Sequence, residues 1–348
     1  MKKLIVLADD RTGAFETAGA CADLGARAAV VPFGVEPPDD AQCVVVDLAT
    51  RHLPYGAARV RAADAHPAAA HKIDSTLRGN WAHELVARHE ASGRPVLVVP
   101  AFPAAGRTCE GGIVLVHGVP VADGDASADV RGPVRSSRPA DHLRDAGAGA
   151  VDELLPAEAE RWLDGPSAAF AVCDADTDAD LAAVTRSWSR HRTVIPAGTA
   201  ATIAAAARAV VTLKGSPQTR PRLGLPALIV CASTHPVALA QVAVAEAAGV
   251  EVLRPQTTYR GDPAQIAAVL GAEARAALST GAFRTIVLVG GDTAASVLGD
   301  AAVTVGGTVG TGIAWSRPWG DDGPVALTKP GGFGVATTLV DLLSGVPS

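Results

Sequence analysis

Short runs of β-branched and other apolar residues alternate along this chain with longer, alanine-rich amphipathic runs. Short apolar runs suit strands that are buried on both faces, and the longer runs suit helices that cross over a sheet. The alternation therefore predicts an α/β fold of mostly parallel sheets with flanking helices. Strands are expected at 4–8, 28–33, 43–47, 96–100, 169–173, 193–196, 227–232, 250–253, 285–289 and 302–305. Helices are expected at 14–25, 55–66, 80–91, 139–146, 156–164, 178–190, 199–210, 236–248, 262–280, 293–299 and 334–344.

The length of the chain and one irregular segment indicate two domains. A chain of 348 residues is long for a single hydrophobic core. Residues 213–226 are rich in proline, glycine and charge and show no apolar period, which is typical of a linker. Strand–helix alternation restarts at Ala227. We therefore expect domains at 1–212 and 227–348, joined by the linker 213–226.

Composition excludes several classes of function. The net charge of −6 and a pI near 5.8 argue against nucleic-acid binding, which needs a basic face. No apolar run is long enough to span a membrane. The apolar run 4–8 is followed at once by Asp9 and Asp10, so it predicts a first strand rather than a signal peptide.

The five cysteines are odd in number and widely spaced, without a Cys-x-x-Cys pair or a zinc-ligand spacing. Cys43, Cys173 and Cys231 lie in strand-like runs and are expected to be buried small hydrophobic residues. This usage indicates a reducing compartment, the cytoplasm.

Residues 72–79, Lys-Ile-Asp-Ser-Thr-Leu-Arg-Gly, hold the densest polar chemistry of the chain. The chain has only five lysines against twenty-five arginines, and both Lys72 and Lys329 stand beside glycine-bearing motifs. A compact ammonium is not interchangeable with a guanidinium, so these lysines point to small anionic ligands. The structural alternative is that Asp74, Ser75 and Thr76 cap the helix expected after them.

Polar segments follow the first and third expected strands, and the carboxyl ends of strands in a parallel sheet form a ligand crevice. Asp10 follows the first strand, Arg51 the third, and Lys72 to Arg78 precede the helix 80–91. Arg51, Lys72 and Arg78 can together orient a carboxylate. Asp10 or Asp74 can hold or deprotonate a hydroxyl group and so act in catalysis. Alternatively, Asp9 and Asp10 only cap the first helix, and Arg51 is only solvated.

Glycine loops dominate the second half of the chain. Gly290-Gly291-Asp292-Thr293 follows a strand and opens a helix, and Lys329-Pro330-Gly331-Gly332-Phe333-Gly334 is expected to open the last helix. Backbone N–H groups at such helix starts can bind phosphate, although glycines also simply make turns. Neither a Walker loop nor the dinucleotide fingerprint is present. The acidic run 174–180 is interpreted as a capped strand-to-helix turn rather than a cation site, and metal ligands are not identifiable.

In sequence order, these motifs resemble those of the four-carbon acid sugar kinase family, the kinases of threonate, erythronate and 3-oxo-tetronate. The Lys72–Gly79 string and the Pro100-Ala101-Phe102-Pro103 string carry most of the resemblance. Supporting motifs are Ala8–Ala14, Thr50-Arg51, Ala104–Thr108, Pro133–Ser137, Gly290–Thr293 and Lys329–Gly334.

The resemblance implies an N-terminal domain that binds the sugar acid, a C-terminal domain that binds ATP with Mg²⁺, and an active site in the cleft between the domains. It implies phosphorylation of the acid at its 4-hydroxyl. The acid would contact Asp10, Arg51, Lys72, Ile73, Asp74 and Ser75, with Arg78 added by its charge. The nucleotide would contact Ser233, Gly290, Gly291, Asp292, Thr293 and Gly331, with Lys329 and Gly332 added from their loop.

Three positions depart from the family pattern. Ala232 replaces the usual glycine before Ser233, Asp292 replaces a glutamate, and Pro330 removes one backbone N–H donor. Two other functions fit an acidic α/β chain: an NAD(P)-dependent oxidoreductase of a small hydroxy acid, and a non-catalytic sugar-acid-binding protein. The first lacks its fingerprint, and the second has no use for the C-terminal glycine loops. Nothing in the sequence indicates the stereoisomer or the oligomeric state.

Overall fold

A computed structural model of the protein describes residues 3–65, 69–129, 131–191, 193–211, 215–255 and 263–345. The chain forms two compact units. Unit 1 comprises residues 1–17 and 42–214, and unit 2 comprises residues 18–41 and 215–348. Residues 213 and 214 of the expected linker lie outside the described residues, and residues 215–226 form neither helix nor strand.

The described residues contain strands and helices in alternation. The strands are β1 Leu4–Ala8, β2 Ala28–Pro32, β3 Cys43–Asp47, β4 Ala70–Lys72, β5 Val96–Val99, β6 Arg107–Glu110, β7 Ile113–Val116, β8 Val119–Pro120, β9 Val151–Leu154, β10 Phe170–Cys173, β11 Ile195–Gly198, β12 Ala227–Cys231, β13 Glu251–Leu253, β14 Thr285–Val289, β15 Val303–Gly310, β16 Ile313–Ser316 and β17 Val325–Lys329. The helices are α1 Arg11–Ala22, α2 Tyr55–Ala63, α3 Trp81–Ser92, α4 Pro139–Asp145, α5 Ala159–Asp164, α6 Asp178–Arg190, α7 Ala200–Val210, α8 Pro236–Ala247, α9 Pro263–Leu278, α10 Gly291–Leu298 and α11 Thr338–Ser344.

Unit 1 is built on a parallel sheet with the strand order β3-β1-β4-β11-β5-β10-β9. A small antiparallel sheet, β6-β7-β8, accompanies it. Since β3, β1 and β4 are neighbours and parallel, the residues after them emerge at one edge. That edge receives the first three polar motifs of the sequence.

Strand alternation in unit 1 divides its core into two layers. Val96 and Val98 of β5 pack on one face with Trp81 and Leu85 of α3. Leu97 on the same strand packs on the other face, in the layer that contains Trp162, Leu163, Leu181, Val184, Trp188 and Ala206. The buried strands therefore lie between two helical layers, which explains why they are apolar on both faces.

Unit 2 has a mixed sheet with the order β13-β12-β14-β17-β16-β15-β2. The pairs from β13 to β17 are parallel, and those from β17 to β2 are antiparallel. Strand β2 belongs to this unit because Val30, Ala29 and Ala28 pair with Val303, Thr304 and Val305. Residues 18–41 therefore join the C-terminal unit, although no pattern in the sequence separates them from the rest of residues 1–212.

The α/β fold class is confirmed, and each expected strand and helix has a counterpart with shifted ends. Strands β4, β6 to β9, β16 and β17 were not predicted from the sequence. Strand β4 has only three residues, two of them polar, and β6 to β8 form a local antiparallel sheet outside the strand–helix alternation. None of the described helices has the length and apolarity needed to cross a membrane. Cys43, Cys173 and Cys231 are buried and unbridged, as expected. The cytoplasmic location, the domain functions and the cleft position of the active site stay predictions.

Candidate functional site

Arg51 is the centre of a charged cluster at the edge of the unit 1 sheet. Its Nε and Nη2 donate to Asp9 Oδ2 and Oδ1 at 2.7 and 2.8 Å. Its Nη1 lies 2.9 Å from Asp10 Oδ2, and its Nη2 lies 3.5 Å from Asp74 Oδ1. The Arg51 side chain is 10% exposed and Asp9 is fully buried. The ends of β1, β3 and β4 thus meet at one guanidinium. We call Asp9, Asp10, Glu16, Arg51, Lys72, Asp74 and Arg78 the charged cluster.

Asp74 is held by its own loop. Its Oδ2 accepts hydrogen bonds from Thr76 Oγ1 at 2.6 Å and Arg78 Nε at 2.8 Å, and its Oδ1 accepts one from Arg78 Nη2 at 3.0 Å. Helix α3 begins only at Trp81, after Asn80, whose side chain donates to Thr50 O and makes no cap bond. The alternative that Asp74 to Thr76 cap this helix is therefore wrong, because these side chains close the loop before it.

Asp10 has two roles in the structure. Its Oδ1 accepts the Gly13 N–H at 2.9 Å and its Oδ2 accepts Thr12 Oγ1 at 2.6 Å, so Asp10 caps the start of α1. The same carboxylate contacts Arg51. Asp10 therefore both caps helix α1 and belongs to the charged cluster, so the two interpretations of its sequence position do not exclude each other.

Opposing effects set the protonation of these carboxyl groups. Burial alone would raise the pKa of Asp10, but Arg51 and Lys72 outweigh it and hold that pKa below its usual value. Burial is likewise outweighed at Asp74, where Arg78 and Arg51 keep the pKa well below its ordinary range. At Asp9 burial dominates and raises the pKa to about 6, despite Arg51. Asp10 and Asp74 are therefore carboxylates at neutral pH.

Lys72 is almost completely buried, and its Nζ lies 3.6 Å from Glu16 Oε2. A Cβ atom on Gly13 would lie 3.0 Å from Lys72 Nζ and 2.7 Å from Asp10 Oδ1. Glu16 was not among the site residues predicted from the sequence. A signal was available, because Glu16 is the only acidic residue of helix α1.

Three further positions of the Lys72 motif have distinct environments. Ile73 packs its side chain in the core and donates its N–H to Gly198 O, so only its backbone is polar. Ser75, the residue after Asp74, is also buried. Gly79 has φ +85°, and a Cβ there would lie 3.0 Å from Asp9 Oδ2 and 3.1 Å from Arg51 Cγ. The final glycine of the motif therefore leaves room for the Arg51–Asp9 pair.

The charged cluster differs in one respect from the expected carboxylate site. Arg51 and Arg78 already have carboxylate partners, with Arg78, 29% exposed, the more open of the two. An anionic ligand would therefore have to share or replace partners rather than meet unoccupied cations. The structure brings Asp10, Arg51, Lys72, Asp74 and Arg78 together, and their contacts with a ligand stay a prediction.

Unit 2 brings the expected nucleotide residues to one edge of its sheet. Strands β12, β14 and β17 are parallel neighbours, and their carboxyl ends lead into Ser233, Gly290 and Gly331. A Cβ on Gly331 would lie 2.6 Å from Ser233 Oγ, and one on Gly290 would lie 3.6 Å from Ser233 Cβ. We call Ser233, Gly290, Gly291, Thr293 and Gly331 the glycine cradle.

Helix α10 begins at this cradle. Gly290 precedes it with φ +101°, and Gly291, Asp292 and Thr293 form its first turn. Thr293 Oγ1 accepts the N–H of Ala232 at 3.1 Å and so ties the end of β12 to the helix start. The free backbone N–H groups of a helix start can bind phosphate oxygens. Residues 290–293 therefore lie at a helix start, as expected, and their contact with a nucleotide stays a prediction.

The Lys329 loop differs from its expectation. Helix α11 begins at Thr338, not at 334, so the glycines of this loop do not open it. Gln241 Nε2 of α8 instead donates to Phe333 O and Val335 O, both at 2.9 Å, and thereby ties the loop to that helix. Gly332 lies beside the ring of His235, since a Cβ there would be 2.9 Å from His235 Nε2.

Lys329 is fully buried at the end of β17, and its Nζ donates to Pro330 O at 2.7 Å. Burial lowers the pKa of this amine to about 7, and only the nearby Cys231 acts against that. A buried amine with a pKa near 7 is only partly protonated at neutral pH, and a bound anion raises that pKa so that the amine takes up a proton. Contact of Lys329 with a phosphate stays a prediction.

No group of three or more His, Cys, Asp or Glu side chains in the described ranges is arranged to hold a metal ion. Proteins that bind Mg²⁺ together with a nucleotide usually hold it with one or two carboxylates, phosphate oxygens and water. Asp292, in the first turn of α10, is the carboxylate next to the glycine cradle.

Known proteins match this chain in both sequence and fold. The family described as the sugar-binding N-terminal domain matches residues 4–206, which include the whole charged cluster. D-threonate kinase of Salmonella typhimurium (strain LT2) is 38% identical over 147 residues, 39% of this chain and 35% of that protein. D-threonate kinase of Bordetella bronchiseptica is 30% identical over 275 residues, 74% of this chain and 65% of that protein.

These matches span from 35% to 65% of the length of the curated relatives, which are named D-threonate kinase or D-erythronate kinase. The crystal structure of Haemophilus influenzae protein HI1011 superposes with a TM-score of 0.67 at 16% identity, over 99% of this chain and 100% of that one. That likeness concerns the fold alone. By its matched domain and its motifs, this chain belongs to the four-carbon acid sugar kinase family.

Proposed function

We propose that the protein is an ATP-dependent kinase that phosphorylates a four-carbon sugar acid, threonate, erythronate or 3-oxo-tetronate, at its 4-hydroxyl. The observation that carries this proposal is the convergence of Arg51, Lys72 and Arg78 with Asp10 and Asp74 at adjacent strand ends. These residues lie within the part of the chain that matches the sugar-binding domain.

The mixed charge of the cluster suits a hydroxylated acid. A ligand carboxylate needs cationic partners, and Arg78 and Lys72 supply them beside Asp74 and Glu16. Ligand hydroxyl groups need acceptors, and Asp10 and Asp74 remain ionised because neighbouring cations hold the pKa of each below its usual value. A ligand with negative charge but no hydroxyl groups would be repelled by the four carboxyl groups of the charged cluster and could not donate hydrogen bonds to them.

The glycine cradle supports nucleotide binding in unit 2. Ser233, Gly290 and Gly331 lie close together. The first N–H groups of α10 have no carbonyl acceptor within the helix, because no helical turn precedes them. ATP phosphates would bind to these N–H groups. Lys329, whose pKa burial lowers to about 7, would supply a positive charge beside them. Mg²⁺ bound to the phosphates would neutralise the charge that develops during transfer.

Phosphoryl transfer requires little covalent chemistry from the protein. The acid's hydroxyl loses its proton as its oxygen bonds the γ-phosphorus, and the bond from that phosphorus to ADP breaks. Asp10 is our first candidate for the proton acceptor and Asp74 the second. Both are weak bases here, since cations lower the pKa of each, so orientation of the hydroxyl is the larger part of their role.

The test is ADP release from ATP·Mg²⁺ by the purified full chain with D- and L-threonate, D- and L-erythronate, 3-oxo-tetronate and glycerate. Turnover with one four-carbon acid establishes the reaction and identifies the substrate. Binding of an acid without ADP release would instead favour the sugar-acid-binding protein. Reduction of NAD⁺ or NADP⁺ with the same acids would favour the oxidoreductase.

A glycine variant and a matched control separate the nucleotide site from general stability. Gly331→Ala places a Cβ 2.6 Å from Ser233 Oγ and should raise the KM for ATP at least tenfold. Gly224→Ala lies in the same unit, with its nearest contact at 4.0 Å, and should leave the KM unchanged. Equal KM values in both variants would remove the glycine cradle from ATP binding.

A further inference from the structure

Glu16 has the least satisfied carboxyl group of the charged cluster. It is buried on helix α1, and its Oε1 has no hydrogen-bond partner among the described residues. Its Oε2 lies 3.6 Å from Lys72 Nζ, which is longer than a hydrogen bond. Each other carboxylate of the cluster accepts at least one hydrogen bond shorter than 3 Å. Glu16 is therefore the member whose negative charge the protein supports least.

Two cations and two carboxylates face Glu16. Lys72 of β4 and Arg107 of β6 favour its ionised form, while Asp10 and Asp74 oppose it. Burial is the largest influence and raises the pKa of Glu16 to about 7, against a usual 4.5. A bound carboxylate ligand would add one more negative charge near Glu16. The pKa of Glu16 must then rise further, because like charges in a buried site disfavour each other's ionised forms.

We infer that Glu16 belongs to the acid-binding site, where it takes up a proton when the ligand's carboxylate binds and thereby leaves Lys72 to that ligand. The inference rests on the proposed sugar-acid function. In the free protein the Lys72 ammonium lies beside Glu16 and Asp10. In the complex the neutral Glu16 carboxyl no longer competes for that ammonium, so the ligand becomes its anionic partner.

Asp9 is the other carboxyl that could take up this proton, since burial raises its pKa to about 6. It is the weaker candidate, because two hydrogen bonds from Arg51 favour its charged form. Glu16 receives no such bond at Oε1 from the described residues. Protonation of Asp9 would also break up the Arg51 pair at the centre of the cluster.

Linkage sets the pH dependence of this coupling. Above pH 7 the free protein has Glu16 ionised, so binding should take up about one proton, and affinity should fall up to about tenfold per pH unit. Near pH 5.5 Glu16 is already protonated before binding, so uptake should be close to zero. The affinity for the acid is therefore highest on the acidic side of neutrality.

Calorimetric titration of the full chain with D-threonate and with D-erythronate, at pH 8 and pH 5.5, tests this inference. The pH 8 titrations are done in HEPES and in Tris, and the pH 5.5 titrations in MES and in piperazine, because the difference in binding enthalpy between two buffers at one pH counts the protons exchanged. We expect uptake of about one proton at pH 8 and almost none at pH 5.5. Uptake that is absent at pH 8 in the wild-type protein overturns the inference while acid binding stands.

Variants assign the proton to one residue. Glu16→Gln should bind the acid at pH 8 without uptake, and its affinity should hardly change between pH 7 and 9. Glu84→Gln is the matched control: Glu84 is buried, has one oxygen without a partner among the described residues, and bonds His71 rather than Lys72. It should retain the uptake. Persistent uptake in Glu16→Gln overturns the inference. If neither these acids nor any other four-carbon acid of the activity panel binds to the wild-type protein, the proposed function is overturned as well.

Discussion

The guanidinium of Arg51 binds the buried carboxylate of Asp9 through two hydrogen bonds of 2.7 and 2.8 Å, across 42 residues of sequence. This fork-like contact leaves Nη1 for Asp10 and points Nη2 towards Asp74. One arginine thus orients three carboxylates from two loops. Its position depends on Asp9, a residue that would not itself need to touch a ligand.

Arg51→Ala should raise the KM for the sugar acid at least tenfold and leave the KM for ATP nearly unchanged. It should also reduce the free energy of unfolding by about 3–5 kcal/mol, because Asp9 stays buried without its partner. Arg51→Lys keeps the positive charge but loses the two-pronged contact with Asp9. Its KM for the acid and its stability should therefore lie between those of the wild-type protein and Arg51→Ala. Steady-state kinetics and urea unfolding measure both effects. An unchanged KM for the acid in Arg51→Ala would contradict the proposed role.

Asp10→Asn should lower kcat by about a hundredfold or more with ATP binding intact, if Asp10 receives or orients the reacting hydroxyl. Burial would raise the pKa of Asp10, but Arg51 and Lys72 hold it below its usual value, so the carboxylate is ionised from pH 5 upward. Its protonation should therefore add no acidic limb to the kcat profile in that range. Asp74→Asn is the comparison, and a larger loss there would reverse the order of the two candidates.

Glu16→Gln should stabilise the protein above neutral pH. Burial raises the pKa of Glu16 from 4.5 to about 7 in the folded state, so the folded protein binds more protons than the unfolded chain between those values. Stability from this group is present below pH 4.5 and lost as the pH rises to 7. The variant should exceed the wild-type protein by about 3 kcal/mol at pH 8 and match it near pH 4.5. Urea unfolding at both pH values checks this, and equal stabilities at pH 8 would refute it.

Lys329→Met should weaken nucleotide binding and yet stabilise the protein at pH 7. Burial lowers the pKa of Lys329 to about 7, so between pH 7 and 10.5 the unfolded chain binds the proton that the folded protein lacks. The wild-type protein should therefore gain stability as the pH rises from 7 towards 10.5, and the variant should lack that gain. A variant that loses stability at pH 7 would show that the bond from Nζ to Pro330 O matters more than the buried charge.

Much of the fold is determined by the sequence pattern alone. Strands such as β5 and β12 are apolar at every position because helices cover both faces of their sheets, so a continuous apolar run predicts them. Polar residues that follow such runs predict a site, since parallel strands end at a common edge. Asp10 and Arg51 could be selected on that basis, whereas the Lys72 motif was selected by its density of charged and hydroxyl side chains.

Tertiary structure decided the partners of these residues. No local pattern indicates that Asp9 holds Arg51, that Glu16 lies beside Lys72, or that Gly79 leaves room for the first pair. These contacts join segments that are distant in sequence, and their chemistry depends on burial, which shifts the pKa of Asp9 and Glu16 upward and that of Lys329 downward. The placement of residues 18–41 in unit 2 is of the same kind, because β2 finds its partner β15 only after the chain has folded. Periodicity is a property of neighbours in sequence, whereas pairing and desolvation are properties of neighbours in space.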